Sequence, residues 1–152
     1  MVSVEIVPAT LAHVQIIGET MNDEDRDEIE AAGLVPRRAL WRGWKNSIMR
    51  YTALVDNVPA AIWGVEGSVM GGVGVVWFIT AKKAREVSPH RFRSIYVGEV
   101  RKMLEIYDTL VNCVAVEYDG AVRMLKIAGF NLDEPQPLGR LRRMYSKFSK
   151  EA

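Results

Sequence analysis

Six acids, Asp23, Glu24, Asp25, Asp27, Glu28 and Glu30, crowd one short stretch of the chain against a single base, Arg26. Carboxylates at that density attract a cationic partner. They equally suit the exposed start of a helix, where acids sit well near the positive end of the dipole. Farther along, Lys82, Lys83, Arg85, Arg91, Arg93, Arg101 and Lys102 gather seven positive charges, opposed by Glu86 and Glu99. Such a run receives phosphate, touches nucleic acid or solvates a helix face. Ser88-Pro89 lies inside it and reads as a helix start, because serine caps and proline suits the first helical position. The free N–H groups and dipole of that start favour an anion. His13 and His90 share no metal-ligand spacing, and no metal site is expected. The lone Cys113 excludes an internal disulfide and reads as buried packing. No serine sits in a G-x-S-x-G elbow.

These residues need a scaffold, and 152 residues at 49% hydrophobic and 26% charged suit one domain, residues 1–152. That composition excludes disorder, a fibre and a coiled-coil rod. A net charge of +1 does not argue for wrapping a polyanion. The start, MVSVEIVPAT, lacks the basic region and apolar run of a signal peptide. The longest charge-free apolar stretch, Gly67 to Ala81, holds four glycines and falls short of the roughly 18 residues a membrane span needs. The expectation is a soluble protein.

Ser3–Val7 alternates as a first strand before Pro8. Thr10 caps a helix over Leu11–Glu19, and Asn22 or Asp23 starts a second that ends at Gly33. A third helical piece follows Pro36. Arg50–Val55 and Pro59–Glu66 form a hairpin about Asp56-Asn57. Gly74–Ile79 is continuously apolar, as in a strand buried on both faces. A long helix follows Ser88, and Leu110–Val116 is another buried strand. Asp119 caps a helix through Ala128 that Gly129 closes. Arg140–Phe148 reads as a final strand. Trp41, Trp44, Trp63 and Trp77 read as core anchors. Helices between strands imply crossovers and a mixed α/β sheet.

Ala121, Gly129 and Phe130, after the strand Leu110–Val116, match the pattern N-x-x-A-x-x-x-Y-x-x-x-G-F. In this and in its element order the chain resembles the GNAT superfamily of N-acetyltransferases. Tyr118 stands at the asparagine position of that pattern and Leu125 at the tyrosine position. The family's glycine-rich phosphate loop is replaced by Ser88-Pro-His-Arg-Phe-Arg-Ser-Ile95, with no glycine before Gly98. A narrower resemblance, on Asp25–Glu28, Gly71–Trp77, Thr80 and the Gly-Phe end, is to phage-encoded GNAT-like proteins related to the small internal virion protein of short-tailed phages.

The resemblance implies an α/β (α+β) fold with a mostly antiparallel sheet. Its central parallel strands would splay to hold acetyl-CoA, and helices would cover both faces. It implies acetyl transfer to an amine acceptor, small molecule or protein, in a ternary complex. Phe78, Ile79, Thr80, Arg91, Phe92, Arg93 and Ser94 would bind acetyl-CoA, and Asp25 and Glu28 would face the acceptor. Glu117 would be the base and Tyr118 the proton donor; both also suit purely structural roles. The alternative is a non-catalytic virion or interaction protein of the same fold. The implied location is the cytoplasm of a bacterial host, or a virion.

Overall fold

The computed structural model describes all residues 1–152. Strand β1 (Val4–Pro8) leads into helices α1 (Leu11–Thr20), α2 (Asp23–Ala31) and α3 (Pro36–Asn46). Strands β2 (Met49–Val55), β3 (Val58–Glu66) and β4 (Val73–Thr80) follow as a meander. A short 3-10 turn, Lys82–Glu86, then precedes α4 (Pro89–Met103), β5 (Thr109–Ala115) and α5 (Asp119–Ile127). Strands β6 (Asn131–Leu132), β7 (Gln136–Leu138) and β8 (Arg143–Glu151) close the chain.

The local causes are mostly those expected. Thr10 Oγ1 accepts the His13 N–H, and the His13 ring accepts the Thr10 N–H in return, a reciprocal cap that occupies this histidine structurally. Asp56 and Asn57 both take positive φ, which fits the hairpin turn between β2 and β3. Ser88 caps α4 by accepting the Arg91 N–H. Tyr118, and not Asp119, occupies the cap position of α5, with no side-chain cap bond, and Asp119 sits in the first turn. The final strand starts three residues later than expected, because Gly139 and Arg142 take positive φ and turn the chain there.

The sheet runs β1-β2-β3-β4-β5-β8-β6, with β7 also on β8. All pairings are antiparallel except β4 with β5. Side chains alternate across a strand, so each face collects its own layer. Trp63, Val76, Leu110, Val114 and Phe148 pack under α4 and α5. Ile62 and Ala81, with Trp77 and Ile79 beside them, pack under α1 to α3. Trp63 is fully buried, whereas Trp41 is exposed on the surface and is no core anchor.

The β4–β5 contact positions the site. The strands run parallel through Val73–Thr109, Gly74–Leu110 and Val75–Val111, and then they part. At the fork Asn112 Nδ2 donates to the Val76 carbonyl at 2.6 Å, in place of a backbone donor. Beyond it β5 stays paired with β8 along its whole length. The last four residues of β4, Trp77 to Thr80, are therefore half-exposed. The apolar run suggested burial on both faces; the departure of β5 opens one edge of it.

Candidate functional site at the strand fork

A cavity of about 620 Å³ occupies the fork and reaches both faces of the sheet. Phe78, Phe92, Tyr96 and Met124 line it on the α4–α5 side; Asp25, Glu28, Trp77 and Tyr145 line it on the α2–α3 side. Backbone groups alternate sides along a strand. The Val76 carbonyl is bound by Asn112 and the Thr80 N–H by Asp25, both from the fork side. Phe78 lies between them, so its N–H and C=O face the gap. An extended chain bearing amides could dock there as an added strand.

The acids are fixed from β4. Asn22 donates its backbone N–H to the Thr80 carbonyl at 2.9 Å and its Nδ2 to Thr80 Oγ1 at 2.7 Å, tying the start of α2 to the end of β4. Asp25 then lies against Thr80. Its Oδ2 accepts the Thr80 N–H at 3.0 Å and the Thr80 hydroxyl at 2.8 Å, and its Oδ1 accepts from the Tyr118 hydroxyl at 3.2 Å. Only 6% of Asp25 is exposed. Burial raises its pKa, and the three hydrogen bonds pull the other way.

Glu28 follows one helical turn later on the same face. Its Oε2 accepts the Ala115 N–H of β5 at 2.9 Å, so its carboxyl spans from α2 to the far side of the fork. Burial, reinforced by the charge of Asp25, pushes its pKa up to about 7. Burial and the neighbouring Asp25 also raise the Tyr118 hydroxyl, which stays protonated and able to donate.

Seven residues singled out from the sequence come together on the cavity wall: Asp25, Glu28, Phe78, Ile79, Thr80, Phe92 and Tyr118. Glu117, Arg91, Arg93 and Ser94 are not part of that wall. The Glu117 side chain is 64% exposed and pairs with Arg143 Nε at 2.9 Å, while Arg143 Nη1 also binds Asp27 at 2.8 Å. Arg91 donates to the Val2 carbonyl at 2.8 Å. The Phe92 N–H donates to the Ser88 carbonyl, so that amide is held within the helix and not offered to an anion. Arg93 and Ser94 are exposed.

Cys113, expected as packing, is instead half-exposed on the cavity wall, with its pKa raised by burial. Asn112, Trp77 and Tyr145 join the site from outside the site residues singled out by sequence. Asn112 carried a signal, a lone amide inside an apolar strand.

No family model matches the sequence, and no curated protein matches it. Solved structures do match its fold. Spermidine N-acetyltransferase from Vibrio cholerae, solved with CoA and spermine, aligns at TM-score 0.71 and 13% identity, over 97% of this chain and 95% of that one. A ribosomal L7/L12 alpha-N-protein acetyltransferase in complex with coenzyme A aligns at 0.69 and 7%, over 98% and 94%. A GNAT-family acetyltransferase from Bacillus anthracis aligns at 0.71 and 8%, over 99% and 98%. The chain has the GNAT fold.

Proposed function

We propose that this chain is an acetyl-CoA-dependent N-acetyltransferase that acts on a primary amine by direct transfer in a ternary complex. One observation carries the reading: the fork between β4 and β5 opens into a cavity through the sheet, with the Asp25–Glu28 acid pair at its α2 side. The gap-facing amide and carbonyl of Phe78, flanked by apolar walls, suit the extended amide-bearing arm of coenzyme A. Two of the structural neighbours were solved with coenzyme A, which supports the same ligand here.

In this reading the amine enters from the α2 side and loses its proton to Glu28. A carboxylate poised near neutral pH is suited to that transfer. The nitrogen attacks the thioester carbonyl, the C–N bond forms, and the C–S bond breaks. Tyr118 delivers a proton to the departing thiolate and regains one from the second proton that the new amide nitrogen sheds, and Asp25 orients the Tyr118 hydroxyl. The base role moves from Glu117 to Glu28, because Glu117 is held outward by Arg143. The phosphates of the donor fall to exposed cationic side chains near the start of α4, Arg93 foremost, in place of a glycine loop.

The test is release of free thiol from acetyl-CoA in the presence of a panel of primary amines. Thiol release that needs an amine, and that Glu28→Gln lowers by about 100-fold or more, is expected for a general base. Amine-independent hydrolysis, or equal activity in the variant, contradicts the assignment.

A further inference from the structure

We infer that the acceptor is a primary amine on an apolar aliphatic or aromatic body, with no carboxylate and no second cationic centre. This rests on the acetyltransferase reading and specifies its acceptor. The α2–α3 side of the cavity is a trough leading away from Glu28, walled by Ile29, Leu34, Ala39, Gly43 and Trp77. Ala39 and Gly43 lie one turn apart on α3, so the same face of that helix is pared down twice. The Trp77 ring is fixed in place. Its Nε1 donates to Ser47 Oγ at 2.8 Å, and its edge lies so close to Gly43 and Gly64 that a Cβ at either would crowd it.

The trough wall has little to offer a polar body. The Trp77 N–H is taken by Ser47, and the Tyr145 hydroxyl donates to the Glu28 carbonyl at 3.1 Å. Asp25 has both oxygens occupied by Thr80 and Tyr118. A sugar amine would bury hydroxyl groups there without partners, at a real cost. The acids that remain on the wall repel a substrate carboxylate, which disfavours α-amino acids. Glu66 sits at the far end of the wall, at the end of β3, and is the one group that could hold a second cation. Burial disfavours its charge and raises its pKa, against a smaller lowering by Arg42. One ammonium at Glu28 and one apolar body along Trp77 fit what remains.

The experiment compares kcat/KM for 2-phenylethylamine, ethylamine, spermidine, glucosamine and phenylalanine at saturating acetyl-CoA. Calorimetric binding of 2-phenylethylamine to the protein with coenzyme A is measured alongside. We expect 2-phenylethylamine to exceed ethylamine and phenylalanine by about 100-fold or more, from the apolar area buried and the carboxylate rejected. Ala39→Phe should fill the trough. It should cost 2-phenylethylamine at least about tenfold in binding and lower its kcat/KM relative to that of ethylamine by a similar factor. A preference for spermidine or glucosamine overturns the inference but leaves an acetyltransferase. An Ala39→Phe protein of unchanged melting temperature and unchanged selectivity also overturns it. Binding of 2-phenylethylamine that Ala39→Phe abolishes, without turnover of any amine, supports the trough and contradicts the enzymatic reading.

Discussion

Glu28 concentrates the chemistry in one carboxyl. It titrates from an ordinary value of 4.5 to about 7 in the folded chain, because burial disfavours its charge. Between those values the folded state holds a proton that the unfolded state has lost. The contribution is complete below about pH 4.5 and is lost as pH rises through 7, an effect of roughly 3 kcal/mol. Glu28→Gln should therefore be more stable than wild type at pH 8 and nearly equal at pH 4. Chemical denaturation at both pH values checks this, and a variant less stable at pH 8 would show that the carboxylate is well solvated. The same ionisation should give the pH–rate profile an acidic limb near 7, absent in any residual activity of the variant. Tyr118→Phe removes the donor to Asp25 and the proton for the thiolate, so kcat should fall about 100-fold, and the loss of a donor to a buried carboxyl should also lower the melting point. The acids of α2 were legible as charge density. The resemblance already set Asp25 and Glu28 apart on the acceptor side; that Arg143 holds Asp27 outward was not legible, because Arg143 lies far along the chain. Glu117 lies off the cavity wall for a related reason. Past the end of a strand, alternation no longer fixes where a side chain points, and Arg143 drew it outward.

The elements themselves were mostly readable, and their ends less so. Gly129 closes α5 with φ +91°, as the Gly-Phe end suggested, and a Cβ there would collide with the Lys150 side chain. Gly129→Ala should lose about 1 kcal/mol or more through backbone strain, visible as a lower denaturation midpoint. An unchanged midpoint would mean the helix end relaxes freely. Asn112 is the hinge of the fork. Asn112→Ala leaves the Val76 carbonyl without its donor and should cost about 1–3 kcal/mol. The apolar run of β4 could not reveal that one of its edges faces a cavity, since hydropathy is the same for a wall of protein and a wall of ligand. The start of α4 is legible in Ser88-Pro89, but its Arg91 and Phe92 amides serve the serine cap and the helix. In the proposed reading a phosphate is met chiefly by side chains there, so Arg93→Ala should weaken acetyl-CoA and flatten the salt dependence of its binding. Arg91→Ala should act chiefly on stability, through the lost bond to Val2.

At the scale of the molecule, the sheet makes a passage. The α4–α5 layer and the α1–α3 layer meet the same fork from opposite faces, so a donor and an acceptor could approach each other through the sheet. The GNAT fold is common to this chain and its structural neighbours at 7–13% identity, which leaves the site to decide the activity. The most direct measurement is a calorimetric titration of the purified chain with acetyl-CoA. Saturable one-to-one binding is expected, with Kd between about 1 μM and 1 mM, the usual span of enzyme substrates, weakened by salt and displaced by coenzyme A. A folded protein that gives no saturable heat at millimolar acetyl-CoA would contradict it. The fork would then hold no acetyl donor, and the GNAT fold here would serve some other purpose.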